Sequence, residues 1–95
     1  MNHPGYSDNK ESLLKRLKRI EGQVRGIEKM IEDDRYCIDV LDQISSINAA
    51  LKSVAVLMLS DHLSHCVSSA IKNGGDEASL KLAEATRSIE RLISK

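Results

Sequence analysis

Cys37, His62 and Cys66 are the residues of this sequence whose types and spacing could do chemistry. His62 and Cys66 are four apart, so on a helix their side chains stand one above the other on one face, the spacing at which two residues grip one ion. Cys37 is the only other cysteine. Two thiolates and one imidazole form a soft, three-coordinate donor set that suits Cu(I) better than ions demanding four to six oxygen or nitrogen ligands. Zn(II) would want a fourth donor. Plainer alternatives exist, since a lone cysteine is often a small buried hydrophobe and a lone histidine often only surface. An enzyme with Cys66 activated by His62 or His65 is disfavoured: no oxyanion-stabilising glycine turn lies near Cys66, and a chain this short offers little pocket.

The elements that must position these residues read as three helices. The first begins near Asp8, which with Glu11 resembles a capping box, and runs to about Glu32. Its apolar residues Leu13, Leu17, Ile20, Val24, Ile27 and Ile31 alternate steps of four and three, a heptad seam. The acidic run Glu32, Asp33, Asp34 suits a tight connection and a favourable start to the second helix. That helix extends from about Tyr36 to Lys72 without Pro or Gly, with Val40, Ile44, Ile47, Leu51, Val54 and Met58 at heptad spacing, until Asn73, Gly74 and Gly75 stop it. A third occupies Glu77 to Ser94, with an apolar stripe of Leu82, Ile89, Leu92 and Ile93.

A continuous second helix poses a problem of reach. Cys37 precedes His62 by 25 residues, or roughly 37 Å along the axis at about 1.5 Å per residue, so the two cannot meet within one chain. At about 100° per residue His62 falls about 20° behind Cys37 and Cys66 about 20° ahead, so all three share a face. An antiparallel partner helix crossing near Ala49 and Ala50 would bring Cys37 of one chain to His62 and Cys66 of the other, and a twofold dimer creates two such sites. The expected fold class is therefore all-α: a three-helix protomer with a long central helix, paired into an antiparallel helical-bundle dimer.

Composition agrees with packed helices. The 95 residues are 41% hydrophobic but only 2% aromatic, so the core must be aliphatic. Residues 1–95 read as a single domain with a disordered tail over 1–7, and a monomer this small needs a partner or a metal. No run of roughly 20 uninterrupted apolar residues suggests a membrane span, and the amino terminus lacks the layout of a signal peptide, so a cytoplasmic protein without a membrane partner is expected. Two cysteines in that compartment point to metal or redox chemistry rather than a structural disulfide. Net charge is zero, yet between Lys10 and Arg25 six basic residues face two acidic ones, a local balance of +4.

Two stretches, RLKRIEGQVRGIEKMIEDDRYCIDVLDQIS and HLSHC, make the chain resemble, over about Leu14 to Ile93, the copper-sensing repressors of the CsoR/RcnR family of bacterial DNA-binding proteins. The resemblance implies a homodimer that pairs into a homotetramer, binds double-stranded operator DNA when metal-free, and is released by Cu(I), derepressing copper efflux or resistance genes. Cys37, His62 and Cys66 fall on the copper branch's ligand pattern, and Tyr36 on its outer-shell tyrosine. Its partner there is a glutamate of the third helix; a gapless count reaches Leu82, and Glu84 serves if the preceding turn is longer. The Ni(II)/Co(II) branch, which often has His in place of the last Cys, is the alternative that His3 and His65 keep open. A thiol or persulfide redox sensor is another, because geometry that joins Cys37 to Cys66 through copper could also join them as a disulfide. The formaldehyde-sensing branch lacks the last cysteine.

No helix-turn-helix signal, zinc-finger spacing or aromatic stacking set is present, so DNA contact falls to the basic face of the first helix. The candidates are Arg16 and Arg19, whose planar forks grip phosphate, with Lys15, Lys18 and Arg25 adding field and Lys52 joining from the second helix. A solvated helix face is the bland alternative.

Overall fold

The computed structural model describes residues 5–94, and among them every regular element is helical. A 3-10 turn at Ser7–Asn9 leads into α1 (Lys10–Glu32). Helix α2 (Cys37–Asp61) follows, then a π-helical segment (His62–Val67), α3 (Ser68–Asn73) and α4 (Gly75–Ile93). Residues divide into two compact units, one of Lys10–Val54 and one built on residues 55–94 with residues 5–9.

Within Lys10–Val54, the seam of α1 and α2 is covered at every second position only. Leu13, Ile20, Ile47 and Val54 are buried, whereas Leu17, Val24, Ile31, Ile44 and Leu51 are exposed. The buried residues repeat at intervals of seven and the exposed ones interleave with them. A heptad seam half in water is an unfinished interface, since isolated exposed apolar residues are ordinary but a contiguous row is not.

The joint between α1 and α2 has a specific cause. The Asp34 N–H donates to the Ile31 carbonyl at 3.1 Å and the Arg35 N–H to the Met30 carbonyl at 3.0 Å, the paired bonds of a Schellman motif. Such an ending needs a left-handed residue, and here Asp34 supplies it at φ 55°. Glycine would do so without strain, and would remove a carboxylate from a helix carboxyl end. Asp34→Gly is expected to raise stability by about 0.5 kcal/mol, a few degrees in melting temperature at matched protein concentration, while Asp34→Ala lowers it. Thermal unfolding of the three proteins checks the order.

In the other unit, the π segment and α3 both pack on α4. Val67, Ala70 and Ala85 are the buried residues, and the small alanines on α3 and α4 permit close backbone approach. Gly74 alone separates those helices, at φ 73°, its N–H donating to the carbonyls of Ala70 (3.0 Å) and Ile71 (3.1 Å). The expected break over residues 73–75 is thus narrower, and the third long helix starts at Gly75 rather than Glu77.

Asp8 lies in the 3-10 turn and α1 starts after Asn9; residues 5–7, read as tail, form a turn at Gly5 and Tyr6 entering that 3-10 turn. The helical run Cys37–Asn73 is, by length and composition, apolar enough to cross a membrane, although no uninterrupted apolar stretch of that length exists within it.

Candidate metal centre

Cys37 is the first residue of α2, a free and exposed thiol. It borders an open pocket of about 390 Å³ with Ile31, Asp34, Arg35, Val40 and Leu41. Tyr36, the residue before it, is 69% exposed and its carbonyl accepts the Val40 N–H at 3.2 Å. The donor therefore stands where a helix begins, next to the apolar surface of Ile31 and Leu41, which is exposed among the described residues.

His62 and Cys66, both half-buried, are the first and fifth residues of the π segment. The Ser68 N–H reaches back to the Leu63 carbonyl, five residues earlier, as well as to His65. This wider turn corrects the rotation expected from a plain α-helix: each residue advances less around the axis, so His62 and Cys66 remain on adjacent turns with a changed angle between them. Single π turns of this kind recur at functional sites. His65 is exposed. His3 lies outside the described residues.

His62 borders a groove of about 580 Å³ whose wall includes Met58 and Leu59 on α2 and Lys81, Glu84 and Arg91 on α4. Glu84, not Leu82, belongs to that lining; Leu82 is exposed. The Glu84 carboxylate meets the Lys81 ammonium at 3.4 Å, an ion pair exposed enough to be broken at little cost. Among the described residues, no three His, Cys, Asp or Glu side chains lie close enough to hold an ion. Cys37 belongs to one unit, and His62 and Cys66 to the other.

On α1, Lys15, Arg16, Lys18, Arg19 and Arg25 are all exposed, as is Lys52 on α2. Arg25 pairs with Glu21 at 3.0 Å. Among the described residues no acidic group stands within 4.0 Å of Lys15, Arg16, Lys18, Arg19 or Lys52. Arg16 and Arg19 border a pocket of about 320 Å³ that Ile20, Gln23, Ser46, Ala50 and Ser53 also line. Sequence reasoning passed over Gln23, Ser46 and Ser53 because it followed charge. The signal was available: residues 16, 19, 20 and 23 keep the i, i+3, i+4, i+7 spacing of one helix face.

A model of metal-sensitive transcriptional repressors matches residues 9–95. The chain belongs to this family. The repressor is similar to the copper-sensing transcriptional repressor RicR of Mycobacterium tuberculosis, with 57% identity over 94% of this chain and 93% of RicR. Among solved structures it resembles the copper-sensing repressor CsoR with Cu(I) from Geobacillus thermodenitrificans, at TM-score 0.82 and 49% identity over 90% of this chain and 86% of that one. It also resembles the nickel-responsive transcriptional regulator InrS, at TM-score 0.74 and 36% identity over 87% of this chain and 91% of that one. Membership makes the repressor a regulatory rather than catalytic protein, one that binds DNA and oligomerises. Its half-covered seam has the chemistry such association requires.

Proposed function

We propose that this repressor responds to Cu(I): the metal-free form holds operator DNA, and Cu(I) binding releases it to derepress copper efflux or resistance genes. The observation that carries the reading is the donor set, two free thiols and one half-buried imidazole, with no metal-binding cluster completed among the described residues of one chain. Cys37 of one protomer would hold the ion together with His62 and Cys66 of an antiparallel partner. Tyr36 precedes the first ligand, and Glu84, which borders the groove of His62, would be the outer-shell partner of that tyrosine, the kind of surrounding contact that tunes a metal site. The relatives named for copper are more similar to this chain than the structure named for nickel, and Cys66 supplies sulfur where the nickel branch often has nitrogen.

A dimer uses the exposed half of the seam, and a dimer of dimers repeats the basic face of Arg16, Arg19, Lys15, Lys18, Arg25 and Lys52 four times, so that a neutral chain presents matched positive surfaces to duplex DNA. The family match over residues 9–95 reaches into both compact units, which supports treating residues 1–95 as one functional domain, and a repressor that acts on DNA would work in the cytoplasm. Packing between helices, not contact with lipid, then accounts for the apolar run Cys37–Asn73.

Titration of reduced protein with Cu(I), with X-ray absorption to count neighbours, should give two sulfurs and one nitrogen per ion. Four or more nitrogen or oxygen neighbours would overturn the copper reading in favour of nickel or cobalt. Because the shape that binds metal is the shape that leaves DNA, saturating operator should weaken Cu(I) binding by roughly 5- to 150-fold, the usual range of coupling between sites. Equal affinities with and without operator would refute the coupling.

A further inference from the structure

Gly5 and Asn9 lie against the end of α2, immediately before His62. The Asn9 side-chain amide donates to Asp61 Oδ2 at 2.8 Å in a half-buried bond, and the Asn9 N–H closes a turn on the Tyr6 carbonyl at 2.8 Å. Gly5 approaches so closely that a Cβ there would stand 2.6 Å from the Asp61 carbonyl oxygen and 3.2 Å from the His62 Cα. Those neighbours are backbone, so a side chain at position 5 could enter only by moving one segment off the other.

Asp61 is also the last residue of α2 before the hydrogen-bond pattern lengthens. At such a slip the backbone has more than one acceptable pairing, and an external contact can select among them. We infer that residues 5–9 are a strap that fixes the start of the π segment through Asp61 and thereby sets the position of His62. Asp61 and Asn9 are positioning residues that touch no metal. The consequence for Cu(I) rests on the function proposed above; the strap itself does not.

Exchanging the two side chains tests the strap. Asn9→Asp sets two carboxylates face to face while leaving a residue that starts a helix as well as Asn does. Adding Asp61→Asn restores an amide-to-carboxylate bond in the opposite direction. Hydrogen exchange of the metal-free, full-length protein should show the amides of residues 61–66 opening about fivefold faster in Asn9→Asp, the effect of one lost net hydrogen bond, and returning toward wild type in the double variant. Gly5→Ala should accelerate the same amides by displacing the strap sterically. Cu(I) affinity should fall by about the same factor in Asn9→Asp and recover in the double variant. Unchanged exchange at 61–66 in both Asn9→Asp and Gly5→Ala would overturn the strap, and faster exchange with unchanged Cu(I) affinity would overturn its positioning of His62. Wild-type protein that takes up no Cu(I) would overturn the copper reading alone, with the exchange pattern still deciding the strap.

Discussion

Mixing Cys37→Ser chains with chains carrying both His62→Ala and Cys66→Ser is expected to restore tight Cu(I) binding that neither protein shows by itself. In a dimer of Cys37→Ser chains each site lacks one thiolate; in a dimer of the double variant each site keeps only Cys37. A mixed dimer gathers all three lesions into one site and leaves the other complete. With free exchange of subunits half the dimers are mixed, so the preparation should recover about a quarter of the wild-type tight sites, as twofold symmetry dictates. Each unmixed variant should lose at least about 100-fold in affinity, because even outer partners of metal ligands contribute 10- to 100-fold. Competition with a Cu(I) chelator after co-refolding gives the count. No recovery, in a preparation shown to exchange subunits, would place the site within one chain.

That experiment depends on features unequally legible in the sequence. Periodicity located α1 and α2 because the seam from Leu13 to Ile31 and from Val40 to Met58 has one consistent spacing, and the end of α3 was marked by a glycine that adopts φ 73°. That part of the seam needs a partner was anticipated from the shortness of the chain; which seam residues stay exposed, Leu17, Val24 and Ile31 on α1 among them, was not. The π turn at His62–Val67 left no trace: HLSHCV contains neither Gly nor Pro, and a shift from one backbone acceptor to another costs too little to demand a special residue type. A gapless count from Cys66 pointed to Leu82, with Glu84 tied to a longer turn before α4; that turn is the single residue Gly74, yet Glu84 borders the groove of His62, because a count of residues does not say which of them faces the groove. The left-handed Asp34 was hidden for a related reason, because Asp is tolerated in that conformation without requiring it. Gln23, Ser46 and Ser53 were missed because neutral polar residues become recognisable only when two helices set them beside Arg16 and Arg19.

Replacing Arg16 and Arg19 together with Ala is expected to lower operator affinity by at least about 100-fold at physiological salt and to flatten its salt dependence, by roughly one unit of log–log slope for each phosphate contact removed. Both guanidinium groups are exposed and no carboxylate neutralises either within the described chain, so their charge remains available to a duplex. The pocket they border also contains uncharged partners, which separates two ways of binding. If the arginines act only through field, lysines at both positions should preserve affinity and slope alike. If a phosphate is gripped between planar forks and the hydroxyls and amide beside them, Arg→Lys should keep the slope, because the released counterions are unchanged, yet lose about tenfold in affinity as the paired hydrogen bonds disappear. Gln23→Ala should then weaken binding several-fold at constant slope. The Arg→Lys and Gln23→Ala variants decide between the two modes, since the pocket is lined by Gln23, Ser46 and Ser53 and equally by the apolar Ile20 and Ala50. A wild-type slope in the double Ala variant would move the duplex to a different face of the repressor.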